Sequence, residues 1–163
     1  VYKRQAQPII RSMPNTPAAI GKGMSVAVAN DCANEDQKAL AASLLQSTGL
    51  FEWVDDEALL NAVTAVSGSG PAYVFYLIET LERAAIEAGL SPELSTTLAR
   101  QTVIGSAALA EDQANIPAST LRENVTSPNG TTAAALEVLM NGEMQDIFTK
   151  AILAAKKRGE ELG

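Results

Sequence analysis

The segment Val125-Thr126-Ser127-Pro128-Asn129-Gly130-Thr131-Thr132 sets a hydroxyl-rich turn directly before an alanine-rich stretch. Ser127 to Gly130 fits a β-turn, with Pro128 in second place and Gly130 closing it. The first amides of a helix starting there have no intrahelical partners and stand at its positive end, an arrangement suited to a small carboxylate. Thr132, one step inside, is placed to direct its hydroxyl at a ring nitrogen once the carboxylate is held. The competing reading is that Thr131 only caps the helix, worth about 0.5–2 kcal/mol with no ligand involved. A second cluster, Val66-Ser67-Gly68-Ser69-Gly70-Pro71-Ala72-Tyr73, lets backbone approach a ring closely or, equally well, lets helices pack tightly. A third, Met13-Pro14-Asn15-Thr16-Pro17, is an ordered loop following a strand, either a ligand-contacting loop or a stiff connector.

The chain contains no histidine. That removes Ser-His-Asp and Cys-His nucleophilic sites, imidazole acid–base work and most zinc geometries, and no metal site is expected. Hydride transfer from a nicotinamide fits what is left, because the cofactor carries the reaction and the protein positions the partners.

The elements that must hold these clusters divide the chain in two. The apolar stretch Gln7 to Arg11 predicts a strand running into the Ser12–Pro17 loop, and Gly23 to Asn30 predicts a second. A helix over about Glu35–Gln46, ended by Gly49, leads to a third strand, Leu50 to Val54. From Asp56 the pattern turns helical: Glu57–Val66, Pro71–Ala88 with Gly89 as left-handed cap, and a helix to about Ala110 opened by Ser91 as N-cap with Pro92 behind it. A short turn of helix from Pro117, a helix over Thr131–Met140 stopped by Asn141-Gly142, and a last one over Glu143–Glu161 follow. The last carries Met144, Ile147, Phe148, Ala151, Ile152 and Ala155 on one face, a stripe that needs covering. Lys156, Lys157 and Arg158 suit the negative end of its dipole as a solvated terminus.

With 47% hydrophobic and 19% charged residues the chain reads as globular, and no apolar run nears the roughly 20 residues a bilayer span needs. A net charge of -7 argues against nucleic acid as partner. The single Cys32 cannot form an internal disulfide, and the start has no signal-peptide pattern, so a reducing cytoplasm is expected. The glycine fingerprint that seats a dinucleotide pyrophosphate on a helix is absent: Gly21-Lys22-Gly23 has neither its spacing nor the helix after it.

The three clusters, in this order and at these separations, resemble pyrroline-5-carboxylate reductase, and the resemblance covers the chain from about Pro8 to Gly163. It implies an α+β piece, mainly α: the last strands of a Rossmann-type domain over residues 1–55, then an all-helical dimerisation and substrate-binding domain over 56–163. It further implies a homodimer, with larger rings of dimers in the family, and an active site to which the nucleotide domain of one subunit and helical elements across the dimer both contribute. Residue by residue, Ser12, Met13, Pro14 and Asn15 would lie against the nicotinamide end of NADP or NAD, with Asn124 also touching the cofactor. Ser127, Gly130 and the Thr131 amide would hold the substrate carboxylate, and Thr132, the catalytic candidate, would hydrogen-bond the ring nitrogen. Ser67, Gly68 and Ser69 would wall the reacting carbon. A cyclic imine is readily protonated near neutral pH, so 1-pyrroline-5-carboxylate brings its own activating proton and proline is the product.

Three departures from the family pattern stand out. Asn129 occupies a place where many members have a second glycine, and asparagine tolerates the same left-handed backbone. Ala114, Asn115 and Ile116 stand where many members carry a glutamate before the proline matching Pro117, leaving an acidic contact to the ring nitrogen without its residue. The missing fingerprint implies that this polypeptide alone binds NAD(P)H poorly or not at all. Val1 to Gln5 do not resemble the family at that point and read as a foreign junction. Two other readings compete: a non-catalytic helical dimerisation module, and part of a hydroxy-acid dehydrogenase with a catalytic lysine. The lysines, at 3, 22, 38, 150, 156 and 157, all lie outside the central helices and argue against the latter.

Overall fold

The computed structural model describes residues 7–162, so the junction expected at Val1 to Gln5 lies outside the described residues. Strands β1 (Ile10–Met13), β2 (Gly23–Ala29) and β3 (Gly49–Trp53) form one sheet with β2 in the middle. β1 runs antiparallel to β2, pairing Ile10 with Ala29 and Met13 with Val26, whereas β2 and β3 are parallel, pairing Gly23 with Gly49. β2 takes the centre because its Val-Ala-Val run is apolar on both faces: Ser25, Val26, Ala27 and Val28 are all buried. A 3-10 turn, Thr16–Ile20, reverses the chain between β1 and β2, with Gly21 at φ +72° ending it.

The parallel pair needs a crossover, supplied by α1 (Glu35–Gln46). Its start is a reciprocal capping box: the Gln37 amide donates to Asn34 Oδ1 at 2.9 Å and the Asn34 amide to Gln37 Oε1 at 3.0 Å. Its end differs from the sequence expectation. The hydroxyls of Ser47 and Thr48 donate to the Leu44 and Leu45 carbonyls at 2.6 and 2.8 Å, so the helix closes without a glycine. Gly49 instead opens β3 at φ +145°, and a Cβ there would fall onto the backbone of Gly23. Gly49→Ala is therefore expected to cost about 2–4 kcal/mol from combined backbone strain and overlap, read as a lower urea midpoint of the intact protein. An unchanged midpoint would show that the two strands have room to part.

α2 (Leu59–Val63) lays Leu60 on the sheet, where it joins Val26 and Val28 in a core extended by Met13, Met24, Val54 and Val63. The expected single helix over Glu57–Val66 is not what forms: α2 starts at Leu59 and widens into a π turn over Thr64–Gly68. Serine and glycine at 67–70 are poor at sustaining α-helical hydrogen bonding, and the freed carbonyls find partners elsewhere, as described below.

α3 (Gly70–Glu87), α4 (Pro92–Asp112), α5 (Ala118–Asn124), α6 (Thr131–Leu139) and α7 (Glu143–Leu162) complete the chain. Gly89, at φ +100°, closes α3 as expected, its amide and that of Leu90 returning to the Ile86 and Ala85 carbonyls. Ser91 caps α4 by accepting from the Leu94 amide at 3.3 Å. The fold is thus α+β and mainly helical, with a small mixed sheet ahead of the helices, in line with the sequence reading.

Two compact units emerge, one through Tyr73 together with the chain from Thr149 onward, the other Val74–Phe148. In the first, Gly159 of α7 lies against Asn61 of α2, where a Cβ would meet the Asn61 side-chain oxygen at 3.1 Å. In the second, the Thr96 hydroxyl of α4 donates to Glu82 of α3 at 2.9 Å. Among the described residues of that unit only Ser95 and Ala99 are buried, while Phe75, Tyr76, Ile104 and Val138 are more than half exposed. These helices carry more apolar surface than one chain covers.

Candidate active site

Strand β1 ends at Met13, and the turn after it brings the first cluster onto the second. The Asn15 amide nitrogen donates to the Ser67 carbonyl at 3.3 Å and to its hydroxyl at 3.2 Å. The Asn15 side-chain oxygen accepts from the Met24 amide at 2.9 Å, tying the same loop to the start of β2. Met13 lies on Gly68, its sulfur 3.5 Å from where a Cβ would stand. Met13, Asn15, Ser67 and Gly68 thus form one locus, with Pro14 exposed beside it and Ser69 half-buried at the end of the π turn. Ser12, on β1 opposite Ala27, is exposed.

The third cluster falls in the other unit and is built as the sequence implies. The Gly130 amide donates to the Ser127 carbonyl at 3.0 Å across Pro128 and Asn129, and Asn129 has φ +59°, the left-handed backbone a type II turn needs at that place. Upstream, the Thr126 hydroxyl is committed to the Arg122 carbonyl at 2.7 Å, which anchors the turn to the end of α5. α6 then starts with Gly130 as N-cap in extended conformation and no side-chain capping bond. Thr131 is therefore the first helical residue and does not cap α6, so the purely capping reading of that residue fails. Its first backbone bond joins the Ala134 amide to the Gly130 carbonyl at 3.2 Å, leaving the amides of Thr131, Thr132 and Ala133 without helical partners. A Cβ on Gly130 would fall onto the Ser127 hydroxyl, so the turn is closed over this glycine. Thr132 is half-buried, and Asn124, the last residue of α5, is exposed.

Clefts of about 690 and 700 Å³ open elsewhere on the sheet-bearing unit, one lined by Asn30, Lys38, Trp53 and Asp55, the other by Ile9, Arg11, Val28 and Glu57. Neither includes a residue of the three clusters. Among the described residues no group of His, Cys, Asp and Glu converges as a metal site, and no helix is long and apolar enough to cross a membrane. The π turn and its partners are the site features that sequence reasoning alone does not reach.

The family model for pyrroline-5-carboxylate reductase dimerisation matches residues 57–162. The chain belongs to this family. Its fold matches that of the pyrroline-5-carboxylate reductase of Coxiella burnetii with a TM-score of 0.92 at 41% identity, over 98% of this chain and 59% of that one. The Plasmodium falciparum pyrroline carboxylate reductase, solved with NADP bound, matches with a TM-score of 0.83 at 33% identity, over 96% of this chain and 59% of the other. The Pseudomonas aeruginosa pyrroline-5-carboxylate reductase is 43% identical over 158 residues, 97% of this chain and 58% of its own length. The chain spans 55–58% of the length of the curated relatives it matches.

Proposed function

We propose that this chain is part of an oxidoreductase that reduces 1-pyrroline-5-carboxylate to L-proline with NADPH or NADH, in proline biosynthesis in the cytoplasm. The observation that carries the reading is the uncapped start of α6 beneath the Ser127–Gly130 turn: three amides at a helix's positive end, with the Ser127 hydroxyl packed against Gly130 beside them. Similarity to enzymes named for this reaction supports it over the hydroxy-acid dehydrogenase reading, and the uncovered apolar helices support a homodimer built through residues 56–163. Larger assemblies of dimers are compatible with the same surface. Residues 1–55 are assigned to the nucleotide domain, whose phosphate-binding glycines are absent from this sequence.

The residues present fit one end of a nicotinamide cofactor. Met13 against the bare face of Gly68 forms a small apolar shelf, with Ser12, Pro14 and Asn15 on the β1 side, and Asn124 is assigned a further contact. When bound, the nicotinamide supplies a hydride to the imine carbon of the ring. The amides of Thr131, Thr132 and Ala133, with the Ser127 hydroxyl, hold the substrate carboxylate. The Thr132 hydroxyl accepts from the N–H of the protonated ring, fixing the ring's orientation; that proton stays on nitrogen as the C=N bond becomes a C–N bond. Ser67, Gly68 and Ser69 are assigned the wall beside the reacting carbon, in a site completed across the homodimer.

The test is imine-dependent NADPH oxidation. This chain alone is expected to be inactive, and the same chain joined to a family nucleotide-binding portion is expected to turn over. An inert, folded joined protein would leave the dimerisation-module reading standing instead.

A further inference from the structure

We infer that Asn15 is a positioning residue that sets the shelf between Met13 and Gly68 by holding the π turn open, and that Tyr73 shares this role. The inference rests on the functional reading above. In the π turn the Ser69 amide reaches back five residues to the Thr64 carbonyl at 2.8 Å, so the Ala65 carbonyl loses its usual α-helical donor. The Tyr73 hydroxyl replaces it at 3.0 Å. The Ser67 carbonyl would be served in a regular helix by residue 71, which is Pro71 and has no N–H. Asn15 replaces that donor from 52 positions away, adding a bond to the Ser67 hydroxyl.

An asparagine amide offers two donor hydrogens and two acceptor lone pairs. Here the nitrogen is engaged twice by Ser67 and the oxygen once by the Met24 amide. One half-buried side chain therefore joins the β1 loop, the start of β2 and the π turn, and these are the segments that press Met13 onto Gly68. So occupied, Asn15 acts on the reaction through the wall it holds and not by binding the nicotinamide itself.

Asn15→Asp is the informative change, because it keeps the oxygen that accepts from Met24 and replaces the donors to Ser67 with an oxygen. In the intact enzyme, kcat is expected to fall about tenfold while KM for the imine acid stays within about twofold, since misplacing a wall costs near-attack geometry and leaves the carboxylate grip alone. Tyr73→Phe is expected to lower kcat in the same sense. The double variant should lose less than the product of the two, as residues supporting one turn couple. Independently of turnover, amide hydrogen exchange at Ser69 should quicken about tenfold in Asn15→Asp without nucleotide, while Val26 to Val28 in β2 stay protected. An increase confined to nucleotide KM would make Asn15 a direct cofactor ligand and overturn the proposal, as would unchanged kcat or unchanged exchange at Ser69. Wild-type enzyme in the same assay separates the two ideas: if it fails to oxidise NADPH with the imine acid, the functional reading falls, whereas the exchange result still judges the clasp.

Discussion

Thr132→Ala in the intact enzyme is expected to lower kcat/KM for the imine acid about a hundredfold, most of it in kcat, as removal of a single positioned hydrogen-bonding group at a reacting centre does. Thr132 is half-buried in the first turn of α6, two residues after the glycine that caps it, so its hydroxyl is fixed relative to the amides beside it. The change removes one oxygen and one methyl group from a surface turn and leaves the backbone amides in place. Carboxylate binding should survive, with KM changed by no more than about threefold. Thr132→Ser, which restores the hydroxyl, should recover most of the loss. Steady-state kinetics on the three proteins check this, and wild-type turnover in Thr132→Ala would remove the residue from the reaction.

Much of this site is legible in the amino-acid sequence because its signals are local. The Ser127–Gly130 turn follows from proline and glycine at fixed offsets, and Asn129 takes the left-handed conformation that its side chain tolerates. Ser91 before Pro92 and Gly89 after α3 are likewise short-range caps whose chemistry is complete within six residues. The features that sequence does not announce depend on distant partners. The π turn exists because Asn15 and Tyr73 satisfy carbonyls that the local chain cannot, and nothing near Ser67 points to a donor that lies 52 residues earlier. Pro71 is the one written clue, since it takes away the amide that Ser67 would otherwise use. Gly49 departs from its expected role of helix stop for a related reason. Its freedom is needed for contact with Gly23 across the sheet, while Ser47 and Thr48 finish the helix. The uncovered faces of α3 and α4 show as periodic apolar residues in sequence, yet periodicity gives no hint that a single chain leaves them bare.

The largest effect is expected at Gly130. A Cβ there lands on the Ser127 hydroxyl and stands 3.1 Å from the Ser127 carbonyl, so Gly130→Ala swings the Ser127 hydroxyl away from the start of α6 and shifts the turn by a few tenths of an ångström. The carboxylate would lose the charge-assisted hydrogen bond from the Ser127 hydroxyl, worth about 1.5–3 kcal/mol. The decisive measurement compares kcat/KM for 1-pyrroline-5-carboxylate with that for 1-pyrroline, the same ring without its carboxylate, in the intact wild-type and Gly130→Ala enzymes. Wild-type enzyme is expected to favour the acid about a thousandfold, and the variant, equally folded by thermal midpoint, by no more than about tenfold, with its slow rate on 1-pyrroline little changed. A folded Gly130→Ala enzyme that keeps the full preference for the acid would show that the carboxylate is held elsewhere and contradict the account.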